Sequence, residues 1–260
     1  MFSVLSTNLE MEKNKIDYNT HVIEVNNLYK SFGSLEVLKN LNLCLYKGEN
    51  LAVLGKSGSG KSVLLKCIVR LVAPEAGEIN VLGKDILHLN QGELDKIRMK
   101  IGFLFQSNAL YDSMTVRENL EFPLRRHGLK YSRNEVKMMV ADALESVGLP
   151  GTEDKMPAEL SGGMKKRIAL ARTLMMNPEV ILYDEPTTGL DPITSKEISN
   201  LIVSVQKKYN SSAIIITHDI GCVKIVADRI IMLIDGKAYT EGTFSELANT
   251  ADPQVKHFFE

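Results

Sequence analysis

The sequence has almost no net charge, since its 260 residues carry a formal charge of −1 at pH 7. A chain that is neither basic nor acidic overall is not expected to bind nucleic acid through bulk charge. It also lacks an uncharged apolar run near the ~20 residues that a membrane-spanning helix needs. Its most apolar pieces, such as RIIMLI at 229–234, have the length of a strand. We therefore predict no membrane-crossing segment and no nucleic-acid partner.

Cysteine is also scarce, and the three residues present lie far apart with apolar neighbours: Cys44, Cys67 and Cys222. An odd number of separated thiols favours buried side chains in a reducing cytosol over a disulfide framework or a metal site. Internal repeats, low-complexity tracts and linkers rich in glycine and proline are missing as well. With 44% hydrophobic residues, the chain can bury a sizeable core, and one folded unit is predicted.

Short β-rich runs alternate along the chain with segments of helical periodicity. The predicted strands begin near residues 21, 41, 49, 101, 180, 212 and 229. This alternation predicts an α/β domain whose central strands are buried on both faces. Between residues 107 and 177 the helical pattern dominates, which predicts a helical subdomain inserted in the sheet domain. Within it, residues 133–149 place six apolar side chains on one helical face: Val136, Met139, Val140, Ala143, Leu144 and Val147.

The stretch GKSGSGKS at residues 55–62 fits the pattern of a phosphate-binding loop, and a predicted strand and helix flank it. Glycines let backbone N–H groups converge on phosphate oxygens, and the helix N-terminus adds partial positive charge. The lysine would reach the outer phosphates, and the last serine would bind Mg²⁺. A ligand-free turn rich in glycine and serine is the alternative. The candidate nucleotide-binding residues are Gly55, Lys56, Ser57, Gly58, Ser59, Gly60, Lys61 and Ser62.

A second acidic strand, VILYDEP at 180–186, ends in two adjacent carboxylates, Asp184 and Glu185. Strand alternation predicts that they point in different directions and differ in role. Asp184 is expected to hold Mg²⁺ beside Ser62, and Glu185 to orient or deprotonate a water that attacks the γ-phosphate. Acids that merely close a strand before a turn are the alternative. His218, after the strand at 212–217, has no assignable role from spacing alone.

The segments LSGGMKKRIALARTL (160–174) and ILYDEPTTGLD (181–191) together resemble the signature and Walker B region of ABC-type ATPases. Gln106 matches the family's Q-loop, Asp191 its D-loop and His218 its H-loop. Phe32 occupies the place of the aromatic residue that stacks on the nucleotide base. The resemblance extends over residues 21–242 and implies a P-loop NTPase fold, with a mixed β-sheet core and the inserted helical subdomain.

The resemblance also implies a mechanism in which two copies pack head to tail around ATP and Mg²⁺. Each nucleotide lies between one copy's phosphate loop and the other's signature residues, here Ser161, Gly162 and Gly163. His218 is then expected to contact the γ-phosphate as a catalytic residue with Glu185, and Asp191 to lie at the interface. The implied metal site comprises Ser62, Gln106 and Asp184.

Met164 stands where the signature commonly has glutamine, which indicates a subgroup. Together with FQSNALYDSMTVRENLEFPL at 105–124, it resembles the ATPase subunits of Mla/Mce-type lipid transporters. This implies integral membrane permease subunits, a lipid-binding accessory protein and a peripheral place on the cytoplasmic face of the inner (plasma) membrane. In the family, a coupling helix of the permease docks near the residues that here are Leu110, Tyr111 and Met114. Ordinary packing within the helical subdomain is the alternative for these side chains.

Two other functions stay open at this level, a soluble ABC ATPase of iron–sulfur cluster assembly and an ATPase subunit for a different solute. The basic run MKKR at 164–167 is interpreted as a solvated helix face. Residues 1–20 are expected to form a solvated extension, and residues 243–260 a C-terminal tail that packs either on its own domain or on a partner.

Overall fold

The computed structural model describes residues 16–259. The strands found there are β1 (Asp17–Phe32), β2 (Leu35–Lys47), β3 (Asn50–Leu54), β4 (Ala76–Val81), β5 (Lys84–Asp85), β6 (Ile101–Leu104), β7 (Val180–Asp184), β8 (Ser212–Thr217), β9 (Arg229–Ile234) and β10 (Lys237–Gly242). The α-helices are α1 (Lys61–Ile68), α2 (Gln91–Arg98), α3 (Val116–Arg126), α4 (Arg133–Ser146), α5 (Gly162–Leu174), α6 (Pro192–Tyr209), α7 (Ile220–Val226), α8 (Phe244–Ala248) and α9 (Pro253–Lys256).

The strands form two sheets. The larger has the order β10-β9-β3-β8-β7-β6, and only β10 runs antiparallel to its neighbour. The smaller, β2-β1-β4-β5, is antiparallel. The predicted mixed sheet is confirmed. Strands β4, β5 and β10 were not among the predicted strands. Their sequences contain too few apolar residues for a strand pattern: AGEINV in β4, KD in β5 and KAYTEG in β10.

The parallel strands of the larger sheet are buried on both faces, as their continuous apolar runs predict. Every residue of β3, β7 and β8 is buried. One face packs with α1 and the smaller sheet around a core that includes Leu64, Leu65 and Ile68. The other face packs against the helices of the inserted segment and α6. The sheet is therefore held rigidly, and the loops at its carboxyl edge start from fixed positions.

The inserted segment between β6 and β7 contains α3, α4 and α5. Helices α3 and α4 each begin with a capping box, in which Thr115 pairs with Glu118 and Ser132 with Glu135. The apolar face predicted for residues 133–149 packs inward, with Val140 and Leu144 fully buried. A helical subdomain is thus present in the predicted stretch. No helix in residues 16–259 has the length and apolarity needed to cross a membrane.

Both ends of the described chain contain more secondary structure packed on the domain than the sequence pattern predicts. β1 begins at Asp17, so residues 17–20 of the predicted extension belong to a strand, while residues 1–15 lie outside the described part. The predicted tail contains α8 and α9, whose Leu247 and Val255 are buried in a third cluster with Ile230 and Met232 of β9. This tail packs on its own domain.

Candidate functional site

Four predicted site segments meet at the carboxyl edge of the parallel strands. The phosphate loop follows β3, His218 follows β8, Asp184 and Glu185 lie at the end of β7, and Gln106 follows β6. These strands are consecutive neighbours in the sheet. The carboxyl edge of an open parallel sheet is where ligands of such folds bind, because loops from adjacent strands converge there.

The phosphate loop forms an open cradle of backbone. Gly58 and Gly60 have φ values of 81° and 102°, which side chains rarely tolerate. A Cβ on Gly55 would meet the Leu233 carbonyl oxygen at 2.6 Å, so the loop packs against β9 without room for a side chain. Gly60 caps α1 without a side-chain hydrogen bond, and the Ser59 hydroxyl is buried with no partner within the described chain. Uncapped N–H groups at a helix start suit an anion.

Lys61 lies inside this cradle with 5% of its side chain exposed. Its Nζ donates to the carbonyl oxygens of Gly55 (2.8 Å) and Lys56 (3.0 Å) and lies 3.5 Å from Glu185 Oε1. A buried ammonium is costly unless it is paired, and here the loop and one carboxylate compensate it.

Ser62 and Asp184 join the loop to β7, since the Ser62 hydroxyl donates to Asp184 Oδ1 at 2.9 Å. Burial raises the pKa of the Asp184 carboxyl, and the Ser62 hydrogen bond opposes part of that rise. The described residues contain no group of three or more His, Cys, Asp or Glu side chains able to cage a metal. One hydroxyl and one carboxylate fit Mg²⁺, which usually keeps several waters and takes substrate phosphate oxygens as its other ligands.

Glu185 contacts a different set of residues. Its Oε2 lies 2.9 Å from His218 Nδ1 and accepts hydrogen bonds from the hydroxyls of Thr188 and Thr217 at 3.2 and 3.3 Å. The two carboxylates do differ in direction, but strand alternation is not the reason. Glu185 has a φ of 51°, so the chain leaves the strand in a left-handed conformation that costs roughly 1–3 kcal/mol for such a residue. Strain of this kind clusters at functional sites.

Phe32 and Gln106 are both exposed. Phe32 is the last residue of β1, its side chain is 52% exposed, and Lys30 Nζ lies over its ring, 5.0 Å from the centroid. The Gln106 side chain is exposed beyond β6. Its position next to the end of β7 follows from the pairing of Leu104 with Tyr183.

The signature residues lie elsewhere in the chain. Ser161 caps α5, its Oγ accepting from the Met164 N–H at 3.2 Å, and Gly162 is exposed. A Cβ on Gly163 would approach Thr194 Cγ2 to 2.8 Å, so glycine permits the close packing of α5 on α6. Among residues 16–259, no hydrogen bond or ion pair connects residues 161–163 with the phosphate loop. Residues 161–163 line a pocket with Asp191 and Thr194, and no residue of the phosphate loop lines it.

Asp191 has a structural role within the chain, as the N-cap of α6. Its Oδ1 accepts from the N–H groups of Ile193 (3.0 Å) and Thr194 (3.1 Å), and hydrogen bonding from Thr194 lowers its pKa. Next to it, Ile193 is 74% exposed. Sequence reasoning missed Ile193, although an isoleucine two residues after a D-loop aspartate, at a helix start, is an available signal.

The interpretation of MKKR at 164–167 as a solvated face is wrong for Lys166. This side chain is 2% exposed, and its Nζ donates to the Gln106 carbonyl oxygen at 2.7 Å. Burial lowers the pKa of the Lys166 ammonium, while the charges of Asp184 and Glu185 oppose that change. Charge alone does not indicate exposure here, because Lys166 precedes the buried Leu170 by one helical turn and lies on the same face of α5.

The three residues predicted to dock a permease differ in exposure. Leu110 packs against the core of the helical subdomain, as the packing alternative expects. Tyr111 is 43% exposed, with its ring centroid 4.7 Å from that of Phe122. Met114 is half-buried.

Comparison with known proteins gives the same family as the motifs. The model of the ABC transporter family matches residues 38–188. The intermembrane phospholipid transport system ATP-binding protein MlaF of Haemophilus influenzae is 40% identical over 242 residues, covering 93% of this chain and 91% of the relative. The probable ribonucleotide transport ATP-binding protein mkl of Mycobacterium tuberculosis is 41% identical over 236 residues, covering 91% of this chain. The match spans 66% of that mycobacterial relative's length.

Solved structures agree. The ATP-binding cassette MJ0796, in a dimeric post-hydrolysis state bound to ADP and Pi, superposes with a TM-score of 0.77 at 35% sequence identity. That match covers 85% of this chain and 98% of the cassette. Motifs, carboxyl-edge geometry and comparisons therefore agree that the chain belongs to the ABC transporter family of ATP-binding cassettes.

Proposed function

We propose that this chain binds ATP with Mg²⁺ and hydrolyses it as the ATPase subunit of a phospholipid transporter. The observation that carries the ATPase part is the pairing of Glu185 with His218 beside the ammonium of Lys61. A carboxylate held between a cation and an imidazole, at the mouth of a phosphate cradle, has the surroundings that a general base for water needs.

The residues divide the chemistry between them. Backbone N–H groups of residues 58–62 and the start of α1 bind the phosphates, and Lys61 neutralises their outer oxygens. Glu185 takes the proton of the attacking water or orients it. His218 contacts the γ-phosphate and fixes the Glu185 side chain, while Phe32 stacks on the base.

Ser62, Asp184 and Gln106 are the residues that would hold Mg²⁺. When bound, the ion neutralises charge on the phosphate oxygens during hydrolysis. Asp184 is suited to this role because its burial disfavours an uncompensated negative charge.

A second copy completes the site. Since one chain keeps residues 161–163 apart from its own phosphate loop, the signature serves the nucleotide of a partner copy packed head to tail. The uncapped N–H groups at Gly162 and Gly163 face the γ-phosphate there, with Asp191 and the exposed Ile193 along the interface. The dimeric state of the cassette MJ0796 supports this arrangement. ATP then closes the dimer, and hydrolysis loosens it.

The transport role rests on the relatives and on one surface groove. Both curated relatives described above are named as transport ATP-binding proteins, which favours a transporter over an iron–sulfur assembly ATPase. Phe103, Phe105, Tyr111 and Phe122 line a groove at the outer edge of β6. An apolar groove with the exposed Arg126 at its side suits a short helix of an integral membrane permease. The name of the relative MlaF, a phospholipid transport ATP-binding protein, supports phospholipid as cargo. We also infer a peripheral position on the cytoplasmic face of the inner membrane and a lipid-binding accessory protein.

The test is to isolate the chain with its partners in mild detergent, reconstitute the complex in phospholipid vesicles and follow a fluorescent phospholipid. ATP should drive movement of the probe, and the Glu185→Gln complex should not move it. If the complex keeps its partners but does not move the phospholipid, and a ribonucleotide other than ATP stimulates hydrolysis, then the cargo is a ribonucleotide and not a phospholipid. Isolation with soluble iron–sulfur assembly proteins would contradict the transporter role itself.

A further inference from the structure

The segment 105–115 follows β6 and reaches the capped start of α3. The described chain gives it no strand or helix. Its backbone is nevertheless in a defined and unusual conformation, with Asn108 and Ala109 at φ values of 63° and 50°. Two consecutive residues in the left-handed region persist only where surrounding structure fixes them. The question is which side chains do so.

Helix α5 holds the first half of the segment through two cations. Lys166 Nζ donates to the Gln106 carbonyl oxygen at 2.7 Å. Arg172 Nη1 donates to the Ala109 carbonyl oxygen at 2.7 Å, and its Nη2 to that of Asn108 at 3.1 Å. These are charge-assisted bonds to backbone, and such bonds are stronger than neutral ones. The two cations lie six residues apart, about 9 Å along the helix axis.

A neutral side chain holds the second half. Asn119 of α3 is fully buried, and its Oδ1 accepts from the Tyr111 N–H at 2.8 Å. Its Nδ2 lies within hydrogen-bond distance of the carbonyl oxygens of Tyr111, Met114 and Thr115, at 3.0–3.1 Å. The segment is therefore fixed at one end by α5 and at the other by α3.

Helix α5 is also the helix that carries the signature. Its first turn presents Ser161 and Gly162, and its Lys166 lies near enough to Asp184 and Glu185 for their charges to affect it. One rigid helix thus contacts the Q-loop backbone, approaches the catalytic carboxylates and bears the residues offered to a partner's nucleotide. A displacement of residues 106–109 cannot leave α5 in place without breaking charged hydrogen bonds.

We propose that Lys166 and Arg172 are positioning residues that fasten the Q-loop segment to the signature helix, so that the permease-docking surface and the signature move as one unit. The linked movement of docking surface and signature rests on the proposed function, because it requires a permease and a partner copy. The fastening itself is a property of the chain and can be measured without nucleotide or partner.

The experiment is amide hydrogen exchange of the nucleotide-free full chain, read on a peptide covering residues 105–111. The N–H groups of Asn108 and Tyr111 are hydrogen bonded there. Arg172→Met should speed exchange of the Asn108 N–H about tenfold or more, since the lost bonds at Asn108 and Ala109 involve a charged donor. Arg172→Lys should give an intermediate rate, because lysine keeps the charge but not the two-pronged guanidinium. Lys166→Met should likewise speed amide exchange in the part of this peptide near Gln106, whose carbonyl oxygen Lys166 bonds.

Arg126→Met is the matched control, since Arg126 is an exposed arginine lining the same groove and no hydrogen bond of it to the segment is present among the described residues. Its exchange rates should equal those of the parent chain. Unchanged exchange in Arg172→Met would overturn the proposal. So would equal acceleration in β8, which would reveal general destabilisation, or the same effect in Arg126→Met. In the reconstituted complex, Arg172→Met should lower the ratio of permease-stimulated to basal hydrolysis, while an unchanged ratio would contradict the linked movement.

Discussion

The phosphate-loop edge, which comprises residues 55–62 with Asp184 and Glu185, and the segment 105–115 both lie at the carboxyl ends of strands of one sheet, but different kinds of contact hold them in place. At the phosphate-loop edge, Lys61 bonds to the loop backbone, Ser62 to Asp184 and Glu185 to His218, so the residues of the site hold one another in place. In the segment, the backbone is fixed by side chains from other helices, Asn119 and Arg172 among them.

This difference suggests why the geometry of the nucleotide site can stay the same while the coupling of hydrolysis to a docked partner changes. A site that bonds within its own motifs keeps its shape whatever docks nearby. A segment held from outside responds to any movement of the helices that hold it. We therefore expect changes at the first region to abolish chemistry, and changes at the second to alter only its coupling.

The largest effect is expected from Glu185→Gln, which removes the base but keeps the size of the side chain. ATP hydrolysis should fall by about 10³-fold, within the range for loss of a general base, with ATP binding retained. Steady-state phosphate release and nucleotide titration measure the two quantities. Glu179→Gln, an exposed carboxylate before the same strand, is the control. Near-normal turnover in Glu185→Gln would contradict the catalytic role of Glu185. It would also contradict the expectation that changes at the phosphate-loop edge abolish hydrolysis.

A smaller effect, on coupling alone, is expected from Tyr111→Asp. A charge on the exposed ring position should oppose docking of an apolar helix, so stimulation by the permease should be lost. Basal hydrolysis should stay within about twofold, because the segment's backbone bonds to Asn119 remain. Tyr131→Asp, at a similarly exposed tyrosine in the same subdomain, should leave stimulation intact. Full stimulation with Tyr111→Asp would mean that this surface does not receive the permease.

The smallest effect concerns stability. Burial raises the pKa of Asp184, so the ionised carboxyl destabilises the nucleotide-free fold at neutral pH, and stability falls as the pH rises through that pKa. Asp184→Asn should therefore raise Tm, by roughly 2–4 °C for each kcal/mol gained. The gain should shrink in acid, where the parent carboxyl is itself protonated. Thermal denaturation at several pH values checks this, with the exposed Asp112→Asn as control. A gain that grows in acid would contradict the stated cause.

The strands and turns around the first region were easier to predict from the sequence than the conformation of the second, for a physical reason. GKSGSGKS and VILYDEP predict a strand, a turn and their chemistry from adjacent residues, and the structure brings Ser62 and Asp184 into contact. The left-handed turn at Glu185 was not predictable, since strand alternation carries no information on the φ of 51° with which the chain leaves β7. The burial of Lys166 was not predictable from the sequence, because its partner, the Gln106 carbonyl oxygen, lies 60 residues away in the chain.

The proposed mechanism requires two copies to share each nucleotide between the phosphate loop of one and the signature of the other. The direct measurement is light scattering of Glu185→Gln on a sizing column, with ATP and Mg²⁺, with ADP and Mg²⁺, and without nucleotide. We predict a dimer with ATP and a monomer in the other two conditions, because only the γ-phosphate reaches residues 161–163 of the partner copy. The same molecular mass in all three conditions, with ATP shown to be bound, would contradict the shared site.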